Sequence, residues 1–280
     1  MSLVSDTHGG INTIKRLTKA KKDFSNCTPE ETAVVILGDC SINFYLNNVD
    51  KRYKKMINDY GYQLFLVKGN HEEDPANIST MSIVYNNEVN NEVYEEEAYP
   101  NIHYFIDGYE YTINSYSVLV VGGAYSIDKE MRLIRAGYSL EEAEIANPKK
   151  CGWFKDECLS VEKRNKILAA SKRKNYDFVL SHTCPICWEP YDLFLPFVDQ
   201  SKVDKSMEIF LNNLKEEVNW GCWLFGHYHH DRYERPHVEQ FFEHFDTLEA
   251  VAARWEHWDK TGKLENPYVE KSPMFYVEES

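Results

Sequence analysis

Asp6 and His8 stand two residues apart in "SDTHGG", and His227 and His229 repeat that spacing in "LFGHYHHD". On extended backbone, residues i and i+2 point to the same side, so each pair can reach one metal ion. Three more fragments carry ligand-type side chains. "ILGDC" offers Asp39, with Gly38 permitting close backbone approach, "LVKGNHEEDP" offers Asn70 and His71, and "LSHTCP" offers His182. Taken singly, each fits an ordinary role: Asp6 a helix N-cap, Asp39 a turn cap, Asn70 a turn residue, His182 a hydrogen-bonded histidine. All five follow short apolar runs, and in α/β proteins ligands gather beyond the carboxyl ends of strands. A metal site explains the set together. Mixed imidazole and carboxylate donors suit borderline divalent ions such as manganese, iron or zinc, whereas magnesium alone prefers oxygen ligands.

The apolar runs that must position these residues are "SLVS", "AVVIL", "QLFLV", "SVLVV", "DFVLS" and "CWLF". Helical stretches lie between several of them, over 11–24, 45–60, 160–174 and 205–217. In "SVEKRNKILAASKRK", Val161, Ile167 and Leu168 fall near one face and the basic residues take the other. Strands alternating with helices predict an α/β architecture. Residues 104–121, "YFIDGYEYTINSYSVLVV", read as hairpin-linked antiparallel strands, so the core is mixed and holds two sheets. The acidic stretch 86–99 reads as a solvated loop or edge, and 245–258 as an amphipathic helix. Nothing suggests repeats or a linker, and the expectation is one domain over 1–280.

In order, Asp-x-His, Gly-Asp, Gly-Asn-His-Glu, Ser-His and Gly-His-x-His resemble the motif set of the calcineurin-like metallophosphoesterase superfamily, over Asp6 to His229. The resemblance implies a four-layer α-β-β-α sandwich of two mixed sheets flanked by helices, holding two divalent ions, manganese first and iron or zinc next. It implies that Asp6, His8 and His229 hold one ion, that Asn70, His182 and His227 hold the other, and that Asp39 bridges both. Two such ions clamp a phosphoryl group and acidify a bridging water that attacks phosphorus in line. His71 would then protonate the leaving oxygen. The expected activity is phosphoester hydrolysis, on a phosphoprotein or a small phosphate monoester. The alternatives are a phosphodiesterase for cyclic or dinucleotides and a scaffold that keeps the fold without activity.

The match departs from its relatives in informative places. In the protein serine/threonine phosphatase branch, Gly-Asp is followed by a second acid and an arginine, but here "GDCSINF" places Ile42 and Asn43 there. Lys68 stands where that branch has arginine, and is a candidate phosphate contact able to act only as a point charge. Purple acid phosphatases place a tyrosine ligand where this chain has Ile42, and a glycine where it has His8. "GGAYSIDKEMR" and "CGWFKDECLS" resemble bacterial and phage-type members. Arg132, Arg135 and Trp153 are candidates to line the substrate mouth. Glu72 is either a loop hydrogen bond or an orienting group.

Composition sets the remaining limits. Hydrophobic residues make up 43% of the 280, which suits a packed globular chain. The net charge of -14 argues against a general nucleic-acid or anionic-membrane surface, though not against a small phosphorylated substrate held by metal ions. No apolar run approaches the roughly 20 residues of a membrane span. Seven cysteines and no recognisable secretory leader before Asp6 lead to an expectation of free thiols and a cytoplasmic location. "CPIC" at 184–187 lacks the second cysteine pair that a structural zinc site needs.

Overall fold

A computed structural model of the chain describes residues 1–23 and 33–264. Two sheets face each other. The first runs in the order β13 (Asp246–Thr247), β1 (Ser2–Val4), β2 (Ala33–Ile36), β3 (Gln63–Leu66), β6 (Ile102–Phe105), β5 (Asn91–Glu96) and β4 (Met81–Asn86). The second runs β11 (Arg232–Arg235), β12 (Val238–Gln240), β10 (Asn219–Phe225), β9 (Asn175–Ser181), β8 (Tyr116–Val121) and β7 (Glu110–Ile113). Strands β1, β2, β3 and β6 are parallel, as are β8, β9, β10 and β12. The outer strands β13, β5, β4, β11 and β7 pair antiparallel. Both sheets are therefore mixed.

The layering follows from the period-two alternation of side chains. Leu3, Val35, Phe65, Val118, Val120, Phe178, Leu180 and Leu224 point between the sheets and form one buried cluster. Their neighbours Val34, Ile36, Leu64 and Leu66 point outward, against Leu17 of α1 (Gly10–Asp23) and Ile57 of α2 (Asn48–Asn58). On the other side Leu119, Val121, Val179, Trp223 and Phe225 pack on Ile167 of α5 (Val161–Ser171). They also pack on Met207, Phe210, Leu211 and Leu214 of α6 (Ser206–Glu217). Strands buried on both faces need apolar residues at every position, which is why they read as continuous runs. Each fully buried aliphatic side chain contributes roughly 1.5–3 kcal/mol. The four-layer sandwich is formed as the resemblance implies.

Short helices α3 (Lys129–Arg135) and α4 (Pro148–Cys151) lie between β8 and α5, and α7 (Leu248–Thr261) follows β13. Helices α2, α5 and α6 are shorter than the stretches that announced them, α1 starts one residue earlier and α7 lies three residues further on, and Phe24 lies outside the described residues. Two segments differ from their reading in the sequence. Residues 86–99 form the sheet edge and not a loop, completing the β4–β5 hairpin, but they are only partly solvated, with Val89 and Val93 in the inter-sheet core. On a half-exposed strand only alternate residues need be apolar, and the acidic ones between them mask the signal. Residues 104–121 are divided between the sheets, since Tyr104 and Phe105 end β6 while β7 and β8 form the hairpin. Asp107 fixes the crossing by accepting from the Gly122 amide (2.7 Å) and from Lys163 Nζ (2.9 Å).

Candidate metal centre

Five strands end at one place. Asp6 and His8 follow β1, Asp39 follows β2, Asn70 follows β3, His182 follows β9, and His227 and His229 follow β10. The first sheet supplies four of these residues and the second supplies three. The i, i+2 pairs converge for a reason other than strand alternation. Asp6, His8, Asp39, His227 and His229 all have left-handed backbone, with φ of 49°, 48°, 53°, 70° and 54°. Such conformations cost about 1–3 kcal/mol each in a non-glycine residue and persist only where the surroundings enforce them. The enforcement is visible: the Asp6 amide donates to the Gly38 carbonyl (3.2 Å) and the His8 amide to the Asp39 carbonyl (2.9 Å). Glycine is required at two of these corners. A Cβ on Gly38 would lie 2.0 Å from His182 Nδ1, and one on Gly69 would lie 2.0 Å from Asp39 Oδ1.

Two groups of side chains come together. Asp6 Oδ1 lies 4.0 Å from His8 Nε2 and 3.5 Å from His229 Nε2, and those two histidine nitrogens are 2.9 Å apart. Asp39 Oδ1 lies 3.5 Å from His182 Nε2, which is 2.9 Å from Asn70 Oδ1. The ring of His227 stands 5.0 Å from that of His182, and its amide donates to Asp6 Oδ2 (2.9 Å). Asp6, Asp39 and His182 also lie close enough to share one ion.

The donor set fits divalent ions on two further observations. His182 Nδ1 sits 2.8 Å from the Leu37 carbonyl, an acceptor only, so Nδ1 carries a proton and Nε2, which bears a lone pair in the neutral ring, faces Asn70 Oδ1. Asn70 Nδ2 is turned away to donate to Ser126 Oγ (2.9 Å), which leaves two lone pairs facing one another. A cation between them resolves that conflict: ligand atoms about 2.1 Å from one ion and at right angles to it lie about 3 Å apart. Second, Asp6 Oδ1 is buried with no hydrogen-bond donor. A buried carboxylate oxygen in that state costs free energy unless it is paired or ligates a metal.

The electrostatics keep the set ready to ligate. Burial raises Asp6 and Asp39, but the surrounding histidines outweigh it and hold both carboxyls below the usual range: His229 and His182 for Asp6, and His182, His71 and His8 for Asp39. Burial lowers His8 against the attraction of Asp39 and Asp6, and it pushes His227 down to about 3 with help from His182. His229 is raised by the Asp6 carboxylate, whose Oδ1 lies 3.5 Å from its Nε2, against the effect of burial.

His71 lies beside this group. Its amide donates to Asp39 Oδ1 (2.9 Å), its Nε2 is 3.8 Å from Asp39 Oδ2, and its ring stands 5.6 Å from that of His8. It lines an open cleft of about 500 Å³ together with His8 and Arg132. The Arg132 Nε donates to Asp128 (2.7 Å) and Nη1 to the Gly152 carbonyl (2.5 Å).

Other candidates stand elsewhere. Lys68 is 2% exposed and donates to Asp74 Oδ2 (3.0 Å) and the Asp156 carbonyl (2.8 Å), so it braces the corner instead of gripping a phosphate. Arg135 is exposed at the end of α3 and is not among the cleft residues. Trp153 is buried in a small cluster with Leu133, Ala143 and Cys151. Glu72 takes the loop role, accepting from the Gly69 amide (3.0 Å) and the Tyr104 hydroxyl (2.8 Å). Asn43, at the place of the expected arginine, is buried behind the site, donating to the Tyr104 hydroxyl and accepting from Lys54 (3.0 Å). Of the "CPIC" cysteines, Cys184 is buried and Cys187 exposed, both as free thiols. Cys27 lies outside the described residues.

Sequence reasoning assigned no role to Ser126, although "GGAYS" was singled out, nor to the aromatic residues that follow Asp39. No helix among the described residues is long and apolar enough to cross a membrane. No curated protein matches the chain in sequence. A family model does: calcineurin-like phosphoesterase matches residues 3–231, which takes in every strand end described above. The chain belongs to the calcineurin-like phosphoesterase family, whose members are metal-dependent phosphoester hydrolases.

Proposed function

We propose that the protein is a phosphomonoesterase that works with two divalent ions, manganese foremost, on small phosphate esters. The observation that supports this best is the pair of facing lone pairs on His182 and Asn70, set beside a second convergence of His8, His229 and the orphaned Asp6 oxygen. When bound, the ions acidify a water and take up charge developing on the phosphoryl oxygens. The chain's own residues do the rest. Asp39 stands between the two ligand groups and is assigned to both. His71, fixed through its amide to Asp39, is placed on the cleft wall to hand a proton to the departing ester oxygen. Arg132, which lines the cleft with Nε and Nη1 engaged, is assigned as the anion contact that Lys68 does not supply. The location we propose is cytoplasmic, with phosphorylated small molecules as partners.

The test is hydrolysis of p-nitrophenyl phosphate and of bis-p-nitrophenyl phosphate by protein supplied with manganese. Turnover of the monoester is expected to exceed that of the diester. Asp39→Asn should lower turnover by at least about a thousandfold, the scale of losing a principal electrostatic element. Absence of turnover on both esters with every divalent ion, in protein shown to bind two ions, would leave a silent scaffold. A diester preference would move the assignment to a phosphodiesterase.

A further inference from the structure

The cleft beside His8 and His71 is walled by Phe44, Tyr45 and Tyr53, with Arg132 at its edge. Its apolar walls are held from behind. Phe44 packs on Phe154 with ring centroids 6.0 Å apart, and the left-handed Gly152 leaves space that a Cβ would take, 2.9 Å from Phe44 Cζ. Tyr53 lies over Gly10 so closely that a Cβ there would come within 2.5 Å of its side chain. Tyr45 meets Phe44 edge to face at 5.1 Å, yet it is 44% exposed. The Arg132 guanidinium lies 5.6 Å from the Phe44 centroid.

A cleft lined by three aromatic rings together with His8 of the ligand-type set and His71 suits a ligand that is anionic at one end and flat at the other. Aromatic faces bind ring edges and faces more favourably than saturated groups of equal bulk, because the ring quadrupole adds to the area buried. We propose that the cleft receives a flat aromatic ring carried by the leaving alcohol of the substrate, which makes the substrates small phosphate monoesters bearing such a ring. This rests on the phosphomonoesterase reading. The reaction is unchanged: the P–O ester bond breaks, the oxygen of water takes its place on phosphorus, and a proton ends on the leaving alcohol. The ring can come from a simple arylalkyl group or from a nucleobase, and the same chemistry recognises both.

The test compares benzyl, cyclohexylmethyl and methyl phosphate with the manganese-loaded protein. The first two match in bulk and differ in flatness and π character. Benzyl phosphate is expected to lead both others in kcat/KM by about tenfold, the scale of one base–aromatic stack. In Tyr45→Ala the benzyl-to-cyclohexylmethyl ratio should fall to within about twofold of unity, and in Tyr45→Phe it should be retained, since stacking needs the ring and not the hydroxyl. Tyr45 is exposed enough for these variants to fold. Nucleoside 5′-monophosphates turning over faster than benzyl phosphate would assign the ring to a nucleobase; slower turnover would assign it to an arylalkyl group. Equal rates on benzyl and cyclohexylmethyl phosphate would overturn the ring pocket and leave the hydrolase reading intact. If no ester is turned over, the hydrolase reading fails, and calorimetric binding of benzylphosphonate against methylphosphonate decides the pocket. Equal affinity, or no binding of either, overturns it.

Discussion

At the scale of single residues, the site depends on groups that touch no substrate. Ser126 is the clearest. Its hydroxyl accepts from Asn70 Nδ2, so the amide cannot rotate and Oδ1 stays aimed at His182 Nε2. In the same way the Leu37 carbonyl fixes the His182 tautomer. Partners of this kind typically change metal affinity 10–100-fold. Ser126→Ala is therefore expected to weaken the weaker of two manganese sites by at least about tenfold, measured by calorimetry on metal-free protein, with Ser126→Thr restoring most of it. Equal affinity in Ser126→Ala and the parent would remove Ser126 from the site. The ligand-type residues were legible in the sequence because each carries a donor atom and follows a short apolar run. Ser126 was not, because nothing in a serine's type says which amide it will meet. Lys68 misled for the converse reason. Its place, where the phosphatase branch has arginine, suggested a phosphate contact, but Asp74, six residues on, returns to meet it.

At the scale of elements, α6 shows how a helix that covers the second sheet also reaches toward the site. Its first turn carries Glu208, which is buried and accepts from Thr183 Oγ1 (2.8 Å), directly after His182. Its Oε2 has no hydrogen-bond partner among the described residues. Burial pushes the carboxyl up to about 7, with Glu189 adding to the rise and the Thr183 hydroxyl and Lys205 opposing it. The sign follows from linkage. Between the unfolded value of 4.5 and the folded value of about 7, the folded chain holds a proton that the unfolded chain has released. Stability from this group is thus complete below the unfolded value and is lost as pH rises through the folded one. The loss is on the order of 2–3 kcal/mol by pH 8. Glu208→Gln keeps the acceptor for Thr183 and removes the titration. Urea unfolding of metal-free protein should show the variant gaining on the parent by about that amount from pH 5 to pH 8. A gain independent of pH would refute the assignment. Elements buried on both faces announced themselves as unbroken apolar runs. The β4–β5 hairpin did not, since acidic residues stand on both faces of β5: Glu95 on the face of Val93, where it meets His103, and Glu92 and Glu96 on the other, where Glu96 pairs with Lys54.

At the scale of the molecule, the ligand-type residues join the two sheets. Asp6, His8, Asp39 and Asn70 belong to the first, while His182, His227 and His229 belong to the second, so an ion held by both groups ties the sandwich at one end. Without such an ion, the Asp39 charge raises the pKa of Asp6, and Asp6 Oδ1 stays buried without a hydrogen bond. The whole chain is also acidic, with a net charge of -14, so two divalent cations reduce self-repulsion as well. The order of the sheets could not be read from the sequence, because pairing between distant strands leaves no local mark. The shared destination of five strand ends could, because all five needed metal-type donors. Ion binding should therefore be a stability event for the entire fold. A ligand present at about 100 times its dissociation constant adds about 2.7 kcal/mol, which for a chain of this size raises the thermal midpoint by roughly 5–10 °C. We expect chelator-treated protein to melt lower than manganese-loaded protein by that margin in scanning calorimetry. Asp39→Asn, which removes the residue assigned to both ions, should shrink the difference to less than half. Calcium, matched in charge and preferring oxygen ligands, should stabilise less than manganese. If calcium equals manganese, the gain reflects charge neutralisation alone; if neither ion shifts the midpoint, the two ligand groups do not bind metal across the sheets.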